Sequence, residues 1–165
     1  MTDQPNQDVH SRSDPHSFAR IDEVRVNHIA LDLKVFFDRR LIEGWASLVI
    51  ERQDVRADCL TLDTRDLNIR LVESATPDGA FKETSFFLGA ADPVLGRPLT
   101  VSLPPDAVQV RIHYSTHPGA SGLQWLEANQ TAGKKHPFLY TQSQAIHARS
   151  WIPLQDSPSV RVTYE

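Results

Sequence analysis

The chain holds a single cysteine, Cys59, in 165 residues. No disulfide can therefore form within it, and a four-cysteine zinc site is impossible. Long hydrophobic runs are missing too, since nothing approaches the ~18 apolar residues of a membrane-spanning helix. The opening residues Met1 to Asp8 are polar and carry no hydrophobic stretch. A secretory signal is not expected from them, and the cytoplasm is the expected location. Positive charge is not in excess: 17 Lys and Arg stand against 21 Asp and Glu, giving a net charge of −4. The basic residues are spread along the chain, so neither nucleic acid nor a membrane surface is an expected partner. No amphipathic helix pattern of ordinary length appears before residue 120.

What is present is a globular composition, with 40% apolar residues, and a length that predicts one domain with a tail. Residues 1–19 are rich in Asp, Ser, Pro, Gln and His and show no periodicity. They read as a disordered or loosely held tail, with the domain proper over 20–165. From Val24 onward the period is two. Ile29, Leu31, Leu33 and Val35 form one face, Asp38-Arg39-Arg40 a turn, and Ile42, Ala46, Leu48 and Ile50 the matching face of a second strand. Leu60 and Leu62 alternate before Asp63-Thr64-Arg65-Asp66, a turn cluster. Leu67, Ile69 and Leu71 are expected on one face of the next strand. Pro77-Asp78-Gly79 marks a turn, and Phe81 to Leu88 reads as one strand. Leu99, Val101 and Leu103 alternate, as do Val108, Val110, Ile112 and Tyr114. About seven short strands at this spacing predict an all-β, antiparallel sandwich or curved sheet.

The last third carries a signature. Ser121-Gly122-Leu123-Gln124-Trp125-Leu126 precedes Gln130-Thr131 and Gly133-Lys134. His136-Pro137-Phe138-Leu139-Tyr140 follows, then Gln142-Ser143-Gln144-Ala145-Ile146-His147-Ala148-Arg149, and Gln155-Asp156-Ser157-Pro158-Ser159-Val160 closes the run. This ordered series resembles the amino-terminal domain of the M1 zinc aminopeptidases, in their leukotriene A4 hydrolase branch. Looser matches are Leu62 to Leu67 and the hairpin through Leu41, Gly44 and Ala46. The resemblance implies a saddle-like, mostly antiparallel β domain that packs on a separate catalytic domain. It also implies further strands, so the domain is expected to be truncated at its C-terminal end. The alternation of Val160, Val162 and Tyr164 points the same way, because the chain stops inside it.

Peptide hydrolysis of that kind needs zinc on two histidines and a carboxylate, with a glutamate as general base. The helical motif His-Glu-x-x-His that supplies them is absent, as is the family's Gly-x-Met-Glu-Asn loop. Of the histidines at 10, 16, 28, 113, 117, 136 and 147, only His113 and His117 have the four-residue spacing, and no glutamate lies between them. A strand there would separate the two rings by more than roughly 10 Å, too far to share one metal. No catalytic residue, metal ligand or cofactor site is therefore expected in this chain, and the family's zinc would sit in the catalytic domain. The resemblance also implies that Gln142, Gln144 and Ala145 face the catalytic cleft and bind the amino-terminal end of a peptide substrate. Neutral amides suit that task because each offers a donor and an acceptor without burying a charge. Ser143 and Ala148 stand where leukotriene A4 hydrolase has cysteines, and neither change touches the amide chemistry.

Beside this run, Arg149 is expected to pair with Asp156 or with the catalytic domain, and Asp156 to cap backbone amides of its turn. Trp125 reads as packing, Trp45 as cover for an open sheet face, and Lys134-Lys135 as a solvated loop. The alternative to a cleft-lining aminopeptidase domain is a stand-alone β-sandwich interaction module, since such folds host many functions. Both readings share one expected outcome. The purified chain should show no aminopeptidase turnover and no stoichiometric zinc. An aminoacyl chromogenic assay and elemental analysis check this, and chelator-sensitive turnover by the chain alone would contradict it.

Overall fold

The computed structural model describes residues 14–165. The described strands are β1 (Val24–Phe36), β2 (Leu41–Arg52), β3 (Cys59–Thr64), β4 (Asn68–Ala75), β5 (Phe81–Glu83), β6 (Phe86–Leu88), β7 (Arg97–Ser102), β8 (Gln109–Ser115), β9 (Leu123–Leu126), β10 (Phe138–Thr141) and β11 (Thr163–Tyr164). They form a six-stranded sheet in the order β11-β1-β2-β8-β4-β5, a three-stranded sheet β3-β7-β6 and a two-stranded sheet β10-β9. The all-β class holds. Pairing is antiparallel throughout except between β1 and β11, which run parallel. No helix among the described residues is long and apolar enough to cross a membrane.

The long hairpin β1–β2 follows from its alternation, with one addition. Val24 and Val26 are even-numbered whereas Ile29 is odd, yet all three are buried. A register shift between Val26 and His28 reconciles them, because one extra residue moves the following side chains to the other face. Where the hairpin narrows, Gly44 is required: a Cβ there would lie 1.9 Å from the Asp32 carbonyl oxygen. A second shift, between Ile69 and Leu71 in β4, corrects the expected face of that strand. Ile69 stands opposite buried Tyr114 and Val72 opposite buried Ile112, so Leu71, opposite His113, turns to the outer side.

The segment Phe81 to Leu88 is two strands rather than one. β5 pairs with β4 in the large sheet and β6 with β7 in the small one. The crossing is at Thr84-Ser85, where Thr84 N–H donates to Val72 O (2.9 Å) and Ser85 O accepts from Ser102 N–H (2.9 Å). The chain thereby stitches the two sheets together, and the core fills the space between them. Leu48, Val72, Val110 and Ile112 of the large sheet meet Leu60, Leu62, Leu99 and Val101 of the small one, all fully buried. Each such side chain contributes about 1.5–3 kcal/mol of transfer free energy. A second, smaller cluster lies where Ile42 meets Ala120 and Leu123, with Trp125, Leu139 and Trp151 around it. It seats the β9–β10 sheet against the end of the hairpin. Trp125 packs there edge-on to Phe37, with ring centroids 5.7 Å apart. On the outer face, Arg111 lies over the rings of Trp45 (4.9 Å) and Phe81 (3.7 Å).

The expected tail over 1–19 is only partly within view, and residues 1–13, His10 among them, lie outside the described residues. Residues 14–19 pack on the domain. Ser17 and Ala19 are buried, and Asp14 accepts a 2.6 Å hydrogen bond from Ser157 Oγ. Their role is to satisfy a buried carboxylate described below, a long-range demand that composition does not reveal.

Tyr114 is fully buried, and its hydroxyl has no hydrogen-bond partner among the described residues. Burial pushes the phenol well above its ordinary pKa. Because an unsatisfied buried hydroxyl costs free energy, Tyr114→Phe should leave stability unchanged or raise it by up to ~1 kcal/mol. Urea denaturation checks this; a loss above about 1 kcal/mol would mean that the hydroxyl is satisfied.

Candidate functional site

Gln142, Gln144 and Ala145 lie in the turn that joins β10 to a short 3-10 segment at Ala148–Ser150, and all three are exposed. Gln142 N–H donates to Gly122 O (2.9 Å), carrying the β9–β10 pairing one residue further. The Gln142 side-chain oxygen accepts from Gln144 N–H at 3.3 Å, so half of that amide is committed to the turn itself. The Gln144 side chain has no hydrogen-bond partner among the described residues and is free to meet a ligand. The Gln144–Ala145 peptide is cis. Ile146 follows at φ +56°, a left-handed conformation that costs a β-branched residue of the order of 1–3 kcal/mol and persists only where the surroundings impose it.

Those surroundings are specific. His147 N–H donates to Ser143 O (2.9 Å), and Trp151 Nε1–H to Ser143 Oγ (3.2 Å). Ser150 Oγ donates to His147 O (2.7 Å) and accepts from Gly122 N–H (2.8 Å). Gly122 must be glycine here, because a Cβ would lie 2.7 Å from His147 O and 2.8 Å from Trp151 Cδ1.

Beneath the turn, Arg149 has no solvent exposure, and all three guanidinium nitrogens are hydrogen-bonded. Nε donates to Asp156 Oδ2 (3.0 Å), Nη1 to Leu95 O (2.9 Å), and Nη2 to His16 O (2.8 Å) and Asp156 O (3.0 Å). Asp63 Oδ1 faces Nη1 at 3.5 Å as an ion-pair partner, so the guanidinium makes four hydrogen bonds and lies between two carboxylates. The expected partnership with Asp156 is present, and Asp156 also accepts from Arg149 N–H (3.3 Å). Asp63, expected in a turn cluster but lying in β3, is equally central. It accepts from Ser17 Oγ (2.5 Å), Phe18 N–H (2.7 Å) and Asp156 N–H (2.9 Å). Burial pushes its carboxyl above the ordinary value, while these donors and the Arg149 charge pull it back.

The described histidines do not assemble a metal centre. His113, in β8, lies 2.9 Å from Glu73 Oε2, and His117, in the turn beyond, accepts from Gly119 N–H (3.0 Å). No three His, Cys, Asp or Glu side chains come together among the described residues. The residues here therefore do not fit the family's zinc. A different constellation does form: Ser121 Oγ lies 2.8 Å from His147 Nδ1 and 3.4 Å from Arg65 Nη1. Ser121 and His147 both stand in the signature run, but 26 residues apart, and no spacing rule links them.

The nearly all-β, three-sheet architecture is shared with solved structures of LTA4 hydrolase. The sequence profile of the Peptidase M1 N-terminal domain matches residues 25–165, and the chain belongs to that family. It is 41% identical over 157 residues to leukotriene A-4 hydrolase of Xenopus laevis, a match covering 92% of this chain and 25% of that protein. Leucine aminopeptidase 2 of Yarrowia lipolytica is 37% identical over 157 residues, covering 92% and 23%. Among solved structures, yeast LTA4 hydrolase in complex with bestatin superposes with a TM-score of 0.81 at 29% identity, covering 98% of this chain and 25% of that one. The chain spans about a quarter of the length of these relatives.

Arg149→Leu should destabilise the chain by about 3–5 kcal/mol, because it leaves the buried Asp63 carboxylate without its cation. The variant's Asp63 pKa rises further, so its native state binds the proton more tightly than the unfolded chain. The deficit should then shrink as pH falls into the carboxylate range and be largest at neutral pH. Urea denaturation across that range measures both effects.

Proposed function

We propose that this chain is the non-catalytic, cleft-lining part of a longer zinc metallo-aminopeptidase of the leukotriene A4 hydrolase type, which removes amino-terminal residues from peptides. Family membership and relatives named as hydrolase and aminopeptidase support the reading. Its partners are then the catalytic domain of the same polypeptide and the amino-terminal end of a peptide. Neither nucleic acid nor membrane takes part, and the cytoplasm is the site of action. The zinc belongs to residues outside this chain.

The observation that carries the proposal is the rigid display of Gln144. Its amide is exposed and has no partner among the described residues, yet its backbone belongs to a turn held by bonds between Gln142 and Gly122, His147 and Ser143, and Gly122 and Ser150. A side chain presented in this way loses little further freedom on binding, so each hydrogen bond it makes to a peptide is better rewarded. Gln142 contributes through its remaining amide hydrogens, and Ala145 through a peptide group with little side-chain bulk beside it.

In the enzyme that carries this chain, Gln144→Ala should raise KM for peptide substrates by roughly 2- to 10-fold with kcat nearly unchanged, as expected for one neutral hydrogen bond made equally in ground and transition states. Gln142→Ala should have a smaller effect, because its oxygen already serves the turn. An unchanged KM in both variants would favour a β-sandwich interaction module that keeps these glutamines without using them.

A further inference from the structure

The turn that carries Gln142, Gln144 and Ala145 ends at His147, and the imidazole of that residue is tied on one side only. Nδ1 meets Ser121 Oγ at 2.8 Å, and Nε2 has no hydrogen-bond partner among the described residues. The direction of the first bond follows from the third member of the group. Arg65 Nη1 reaches the same Ser121 oxygen at 3.4 Å, and a guanidinium can only donate. Ser121 Oγ has lone pairs for both an Arg65 and a His147 N–H, but the arrangement that keeps its own hydrogen bond inside the group directs that hydrogen to His147 Nδ1. That makes Nδ1 the acceptor and leaves the ring proton on Nε2. The opposite tautomer would aim two donors at one hydroxyl and send the hydroxyl hydrogen to solvent.

Arg65 and Ser121 are not free to rearrange. Arg65 N–H donates to Arg149 O (2.8 Å), and Arg65 Nη2 donates to Val94 O. The backbone beside Ser121 is pressed onto His147 O at the cradle that only Gly122 fits. Resting on the function proposed above, we propose that His147 is a further peptide-binding residue of the Gln144–Ala145 turn, and that Ser121 is its positioning residue, the Arg65–Ser121 chain selecting the Nε2–H tautomer. The turn then presents a fixed imidazole N–H donor alongside its amides, suited to a peptide carbonyl. Ser121 and His147 are not a hydrolytic pair. A base that activates a serine needs its second nitrogen oriented by another group, and no carboxylate bonds His147 Nε2 among the described residues.

The tautomer can be read directly by two-bond 15N–1H correlation on the 15N-labelled chain in mildly alkaline buffer, with His147→Phe supplying the assignment. The expected result is Nε2–H for the native chain and a mixture of tautomers in Ser121→Ala, an exposed substitution that leaves the core untouched. In the longer enzyme, Ser121→Ala should raise KM by roughly 2- to 10-fold with little change in kcat, and Ser121→Thr should restore both tautomer and KM. An Nδ1–H native ring, or a tautomer indifferent to Ser121→Ala, overturns the selection. If Gln144→Ala raises KM and Ser121→Ala does not, the positioning role falls while the function proposed for the turn stands; if neither raises KM, both fall.

Discussion

The guanidinium of Arg149 is a cation without solvent, and the arrangement of the loops follows from what it needs. Removing such a group from water costs several kcal/mol, and the cost is offset only where good geometry satisfies every donor. The acceptors come from four places far apart in sequence: His16, Asp63, Leu95 and Asp156. Asp63 in turn draws in Ser17 and Phe18, which pins the amino-terminal segment to the end of β3. A well-packed apolar residue could stabilise the fold as much. A charge with four placed acceptors and a second carboxylate beside it does something different, because it ties these segments to one another in a single arrangement.

Above that joint, the turn from Gln142 to Ser150 is rigid underneath and polar on top. Ile146 holds a costly backbone conformation, and Ser143, Ser150 and Gly122 hold it there with side chains and peptide groups that each meet a partner. What remains on the surface is the Gln144 amide, without a partner among the described residues, and the free hydrogens of the Gln142 amide. On the reading proposed here the turn supplies recognition and the rest of a longer protein supplies chemistry. That division accords with a chain that spans about a quarter of its relatives' length.

Periodicity was a sound guide wherever a strand is buried on one face and straight. β2, β7 and β8 bury the residues that alternation selects, because side chains two apart must share a face. It failed at three kinds of place. The bulge in β4 turns Leu71 outward. The crossing at Thr84-Ser85 divides one apolar run between two sheets. Residues 14–19 look like tail by composition yet complete the hydrogen bonding of a buried carboxylate. In each case the deciding partner lies far along the chain, and a local pattern carries no information about it.

By itself, then, the sequence determined the β class, the main faces of the long strands, the turn at Pro77-Asp78-Gly79 and the family signature. These rest on side-chain alternation and turn chemistry, forces that act between neighbours. It also placed the candidate amides, Gln142 and Gln144, and paired Arg149 with Asp156 only seven residues away. Only the tertiary structure decided that Asp63 joins that pair from 93 residues before Asp156, and that Ser121 meets His147 across 26 residues. Electrostatic and hydrogen-bond demands of buried groups are met by whatever the fold brings within about 3 Å, and that proximity is a property of the packed sheets rather than of any spacing in the chain.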